Sequence, residues 1–188
     1  IVPWLLDYPL LECLALTASD LARSEHYRAR AQANVAKLQV SDLTDFYRDL
    51  KMQVRFEPYG PRNQERIQQL LVKTNQFNTT TRRHDGAKLA KMLDSGSEIY
   101  ALGMQDRLAP FELFGVMILE PTGDSLEIES FLMSCRILGR TLETAALAFA
   151  FLRMRELQKK ELRAKIIKTE RNTPVHGLYT THGFTNLG

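Results

Sequence analysis

The sequence predicts an α+β domain, a mixed sheet flanked by helices, preceded by a helical connector from an upstream domain. Three observations carry this expectation. Short apolar-rich runs fall at 98–104, 114–119 and 126–131, the last alternating apolar and polar, with turn-forming residues between them, the order of an antiparallel meander. The third run leads through a turn of small and basic residues, Ser134 to Thr141, into a segment where Leu142, Ala145, Ala146, Phe149 and Ala150 recur at helical spacing. A strand at 164–168 follows, so that strand, helix and parallel strand make a βαβ-like unit.

Composition narrows the function classes. The chain has 188 residues, room for one domain of ordinary size and an appendage. Its 44% hydrophobic and 25% charged residues describe a soluble globular chain. A formal charge of +3 gives no argument for nucleic acid, which calls for a larger excess. No apolar run approaches the roughly 20 residues of a membrane span. The two cysteines, Cys13 and Cys135, are far apart and lack metal-ligand spacing. Neither a disulfide scaffold nor a metal site is expected from them, and a reducing, cytoplasmic compartment is. The start, Ile1-Val2-Pro3-Trp4, has no initiator Met and no signal-peptide pattern, and reads as a chain cut from something longer.

In chain order, 1–9 reads as the end of a strand and a loop, and 10–16 as a short apolar helix. Ser19 and Asp20 cap a largely polar helix over 21–38, and Ser41 and Asp42 cap another that runs to Leu50. Residues 1–50 are thus expected to be a linker and an upstream tail, and 51–188 the main domain. The segment 52–56 alternates as a strand before Pro58-Tyr59-Gly60-Pro61 breaks the chain. An amphipathic helix follows over 63–74, with Ile67, Leu70 and Leu71 on one face. The polar stretch 73–83 is expected to be a loop or extended edge, because Thr and Asn disfavour helix interiors. Its amides, hydroxyls and guanidinium groups are also the kinds that bind a polar or anionic ligand. A short helix is predicted over 85–92, and a turn at Pro121-Thr122-Gly123-Asp124. The charged run 153–163 reads as solvated helix. A last helix is capped by Asn172, has Pro174 in its first turn and ends at Gly183.

The chemistry concentrates at 134–141. Backbone N–H groups and the dipole at a helix mouth can hold a pyrophosphate there. Cys135 stands at the strand's exit between that mouth and two arginines, Arg136 and Arg140, an environment that favours the thiolate. The plainer reading of Cys135 is a small buried hydrophobe. His176 and His182 lie near Tyr179 on the last helix and read as surface residues.

Two motifs resemble the GNAT (N-acetyltransferase) family. Arg136-Ile137-Leu138-Gly139-Arg140-Thr141 is similar to its Arg/Gln-x-x-Gly-x-Gly/Ala turn, which binds the pyrophosphate of coenzyme A or the phosphate of a pantetheine arm, with Thr141 in place of Gly or Ala. Asn172 followed by Tyr179 and then Gly183-Phe184 looks like the family's closing segment, whose Tyr often protonates the leaving thiolate. A longer resemblance covers nearly the whole chain. Lys73-Thr74-Asn75-Gln76-Phe77-Asn78, Thr80-Thr81-Arg82-Arg83, Asp106-Arg107 and Phe131 to Arg140 look like the C-terminal part of FkbH-like proteins. Departures fall at Leu108-Ala109-Pro110-Phe111-Glu112, where that family usually has Phe-Gly-Asp, and at His84, where an aromatic such as Tyr is common.

Those proteins pair a haloacid-dehalogenase-type phosphatase domain with an acyltransferase-like domain, and are associated with glyceryl thioesters made on acyl carrier proteins from 1,3-bisphosphoglycerate in polyketide-type pathways. No Asp-x-Asp phosphatase motif is present, so residues 1–40 are expected to be the tail and linker of that half, and the strands expected after Phe184 to be cut short. The resemblance implies that Cys135 carries the glyceryl group as a thioester and passes it to the phosphopantetheine of an acyl carrier protein. The arm would dock on Arg136, Ile137, Leu138, Gly139, Arg140, Thr141 and Asn172. Asn75, Gln76, Arg82, Arg83, Asp106 and Arg107 would bind substrate, with Asn78 and Tyr179 joining Cys135 in catalysis. No cofactor or metal would be resident. The partners implied are the carrier protein and the upstream phosphatase domain, with neither nucleic acid nor membrane. Two alternatives from other classes are a coenzyme A-dependent acetyltransferase acting on an amine, and a non-catalytic domain that docks the carrier protein.

Overall fold

The computed structural model of the chain describes residues 48–187, so the connector and tail expected over 1–47 lie outside the described residues. The elements are β1 (Gln53–Pro58), α1 (Gln64–Lys73), β2 (Phe77–Asn78), α2 (Gly86–Asp94), β3 (Glu98–Gln105), β4 (Glu112–Thr122), β5 (Ser125–Met133), α3 (Leu142–Glu156), β6 (Glu161–Ala164) and α4 (Leu178–Thr181). Short 3₁₀ turns at Cys135–Ile137 and Thr173–Val175 precede α3 and α4.

The six strands form one mixed sheet in the order β1-β3-β4-β5-β2, with β6 also on β5. β3, β4 and β5 pair antiparallel, as the alternation and the Pro121–Asp124 turn require. β6 runs parallel to β5, with Ser125 opposite Glu161 and Ile128 opposite Ala164. The helix between them supplies the crossover that a parallel pair needs. The expected α+β architecture is therefore present.

Each face of the sheet carries its own core. On one, Leu142, Ala146, Leu147, Ala150 and Met154 of α3, with Leu178 and Tyr179 of α4, pack on Met117, Leu119, Leu126, Ile128 and Phe131. On the other, Ile67, Leu70 and Leu71 of α1 and Leu89 and Met92 of α2 cover Ile99, Ala101, Val116, Ile118 and Leu132. β5 contributes to both cores, which makes it the central strand.

Three expectations change. α3 ends at Glu156 and does not continue through Arg163, because Gln158 turns left-handed at a φ of 55°. The strand expected at 164–168 lies at Glu161–Ala164 instead. Leu162 and Ala164 face the core while Glu161 and Arg163 do not, a period of two hidden inside a run of charges. The last helix is split at Gly177, and Asn172 does not cap it. Its amide is used elsewhere: Nδ2 donates to the carbonyls of Asn78 and Ile167 at 2.9 Å each.

Candidate functional site

β5 ends at Met133 and delivers Cys135 into a single 3₁₀ turn. The Ser134 hydroxyl accepts from the Arg136 N–H at 3.4 Å and from its Nε at 3.3 Å, which fixes the turn. Cys135 is exposed, so the buried-hydrophobe reading does not hold for it. Gly139 takes a φ of +80°, and Thr141, the residue before α3, a φ of 57°. A β-branched residue is strained in that left-handed region, and the Thr141 hydroxyl bonds to the carbonyl of Arg140 rather than to the helix. Replacing Thr141 with Gly is expected to stabilise the fold by up to about 1 kcal/mol, the left-handed penalty less glycine's larger entropy loss. A lowered urea midpoint would contradict it.

The two arginines do not stand free beside the thiol. Arg140 Nη1 donates to Asp106 Oδ2 at 2.6 Å, with the Asp106 side chain fully buried. Asp106 Oδ1 also accepts from the backbone N–H of Leu108 and of Ala109 at 2.8 Å each. Arg136 Nη2 meets Glu112 Oε1 at 3.0 Å, and Arg66 of α1 reaches the same oxygen at 3.3 Å. The link between β3 and β4 thus grips the Cys135 turn at both ends with carboxylates. These screen the guanidinium charges that the sequence alone presents as bare. One donor remains: Arg136 Nη1 is buried without a hydrogen-bond partner.

The segment that follows α1 lies along the outer edge of β5. Phe77 and Asn78 pair with Met133 and Leu132. Thr79 N–H donates to Phe131 O, and Phe131 N–H to Thr79 Oγ1, each at 3.0 Å. The Phe77 and Phe131 rings meet edge-on at 5.4 Å, a pairing worth about 0.5–1.5 kcal/mol beyond its buried area. Asn78, expected from the resemblance in a catalytic role, is wholly buried. Its amide braces the loop, accepting from the backbone of Thr80 and Thr81 and donating to Thr74 O. Tyr179 lies behind this segment, buried, its hydroxyl near Thr79 but without a well-formed hydrogen bond. Burial pushes that hydroxyl well above the ordinary tyrosine range, more than the nearby Thr79 side chain lowers it. It therefore holds its proton through neutral pH.

Of the other expected binding residues, Arg83 bonds Asn75 and the carbonyls of Leu71 and Val72, while Gln76 and Arg107 are exposed. Arg82 is drawn inward to Glu129, 2.7 Å from its Oε1, and His84 Nε2 lies 3.2 Å from Oε2. Glu129 was not singled out by the sequence, where it reads as a polar face of the strand. It is buried because β5 bulges there: Ile118 pairs with Ser130 but Leu119 pairs with Ile128, leaving Glu129 as the extra residue. The signal was the step from Ile128 to Phe131, three residues where alternation demands two.

Burial pushes the Glu129 carboxyl up, but the bonds from His84 and Arg82 outweigh it and hold the group below the usual carboxylate range. A depressed folded value gives stability that is complete above the unfolded Glu value of about 4.3 and is lost as pH falls through the folded one. Wild type is therefore expected to lose stability below about pH 4.3 more steeply than a Glu129→Gln variant, as read by urea unfolding across that range. Parallel slopes would contradict the assignment.

A meander that feeds a parallel strand through a helix, with a glycine turn at the helix mouth, is the fold of the GNAT acyltransferases. Solved structures agree. An IAA acetyltransferase from Bacillus cereus matches with a TM-score of 0.50 at 14% identity, over 73% of this chain and 79% of that one. A GNAT-family acetyltransferase from Staphylococcus aureus matches at 0.54 and 9% identity, over 72% and 87%. Glucosamine-6-phosphate N-acetyltransferase from Arabidopsis thaliana matches at 0.51 and 10%, over 73% and 93%. No protein-family model matches the chain, and no curated protein matches it. Among the described residues no helix is long and apolar enough to cross a membrane.

Proposed function

We propose that this domain is an acyltransferase in which Cys135 carries the acyl group, a glyceryl unit, between an acyl phosphate and the phosphopantetheine thiol of an acyl carrier protein. The observation that carries the reading is the exposed thiol of Cys135 at the exit of the central strand, one turn before the helix mouth at Thr141. Cys135 Sγ attacks the acyl carbon, the C–S bond forms, and the acyl C–O bond breaks so that phosphate leaves with its electron pair; with 1,3-bisphosphoglycerate as donor the unit keeps its 3-phosphate, which a separate phosphatase would remove. The carrier thiol then attacks the same carbon, and the Cys135 thiolate departs. The partly exposed Arg136 guanidinium, next in sequence to Cys135, brings positive charge toward the developing oxyanion or a phosphate oxygen. The first turn of α3, opening at Leu142, presents backbone N–H groups to the arm's phosphate. Asp106 and Glu112 hold this turn in place, and Asn78 and Asn172 support the neighbouring edge.

The test is a digest of the full chain after incubation with 1,3-bisphosphoglycerate or acetyl phosphate. A hydroxylamine-sensitive acyl group on the peptide containing Cys135 supports the reading; an acyl-free peptide with concurrent carrier loading refutes it. The names of the structural neighbours favour a second reading, transfer of an acetyl group to an amine, with coenzyme A as the donor that the family resemblance implies. That reaction proceeds in a Cys135→Ala variant, and the thioester relay does not.

A further inference from the structure

The outer edge of β5 is taken by the chain itself on both sides of the bulge, and over 131–133, the stretch that leads to Cys135, without a gap. Ser125 to Ile128 pair with β6. Phe131 exchanges bonds with Thr79, and Leu132 and Met133 pair with β2. Between them lies the bulged pair, whose side chains are tied to the same covering segment: Ser130 Oγ is 2.7 Å from Thr80 Oγ1, and Glu129 is held by Arg82 and His84. The covering segment is itself tied down from behind, by Asn172 Nδ2 on Asn78 O at 2.9 Å and by Ile167 N–H on Thr79 O at 2.8 Å. Asn78, Thr79 and Thr80 are buried.

A pantetheine arm is an extended chain with two amides. Like an extended peptide, it satisfies them best by adding to a free strand edge. The strand that leads to Cys135 offers none. We propose that the segment 77–81 is a specificity element that shuts pantetheine out of the β5 edge. The acceptor arm then reaches Cys135 over the solvent side of the Gly139 turn, where most of its affinity must come from the protein that presents it. Free coenzyme A, which brings no such surface, is a poor ligand and a poor acceptor. The closed edge stands on geometry alone; the choice of acceptor rests on the reading of Cys135 as acyl carrier.

Hydrogen exchange of the full chain, with and without a large excess of coenzyme A, tests the edge directly. The expected result is strong protection over 77–80 and 131–133 that coenzyme A leaves unchanged, with no saturable heat by calorimetry. Coenzyme A that loosens 77–80 or alters 131–133 on binding overturns the proposal. A Thr79→Ala/Asn172→Ala variant, which loses the Phe131 N–H bond to Thr79 Oγ1 and the Asn172 clamp on Asn78 O, is expected to exchange faster there and to gain coenzyme A affinity about tenfold or more. A folded variant with a loosened segment and no gain also overturns it; should the variant not fold, the wild-type exchange pattern decides. An acyl-free Cys135 in a chain whose edge stays closed removes the thioester relay and leaves the closed edge standing.

Discussion

A Cys135→Ala variant is expected to lose acyl transfer to the carrier by about a thousand-fold or more, the scale on which removal of a covalent nucleophile acts. Its stability should stay within about 0.5 kcal/mol of wild type, because the side chain is exposed and packs into neither core. Those two numbers together distinguish loss of chemistry from loss of fold. A Cys135→Ser variant should go further and retain a slowly discharged ester, since an alkoxide leaves less readily than a thiolate. Steady-state loading of a phosphopantetheinylated carrier, followed by mass, measures the transfer, the intact mass of the enzyme shows the ester, and urea unfolding gives the stability. Full loading by the alanine variant would leave the domain a docking platform, a reading in which the thiol has no part.

The largest structural effect is expected at Asp106. Its buried carboxylate receives Arg140 on one oxygen and two backbone N–H groups on the other. Asp106→Ala leaves the Arg140 guanidinium, mostly buried itself, without its partner and unpins the turn after β3. Breaking a buried pair from one side costs about 3–5 kcal/mol, and this pair, close to the surface, is expected near the lower figure. For a chain of this size that is a fall of roughly 6–12 °C in Tm. Asp106→Asn keeps an acceptor for the backbone and should lose about half as much. The Cys135 turn should loosen in both, slowing adduct formation more than it weakens carrier binding. A Tm unchanged in Asp106→Ala would remove the clamp from the account.

The meander was legible because short apolar runs over 98–104, 114–119 and 126–131 are separated by turn-forming residues, and the turn between β4 and β5 carries Gly123 at a φ of 53°. The glycine turn and the position of the thiol beside it were equally legible, as local facts of seven or eight residues, but the exposure of Cys135 was not. What escaped was non-local. That Arg140 would find Asp106, that Arg136 would find Glu112, and that Arg82 and His84 would converge on Glu129 are pairings across 24 to 47 residues, which no spacing rule encodes. The polar stretch 73–83 looked like ligand-binding chemistry because Asn, Thr and Arg serve equally well to satisfy an edge strand's backbone. In this fold most of its groups turn inward, with Asn78 and Thr80 bonded within the protein. Density of charge likewise disguised β6, whose Leu162 and Ala164 carry the core contacts between Glu161 and Arg163.

Whether acyl groups pass through Cys135 is read by a pulse–chase. The full chain is pulsed with a labelled acyl phosphate, freed of donor and chased with phosphopantetheinylated carrier. The account predicts that label leaves the Cys135 peptide and appears on the carrier at a rate no slower than overall transfer. Carrier that becomes labelled while Cys135 never does, or a Cys135 adduct that the carrier cannot discharge, would contradict it.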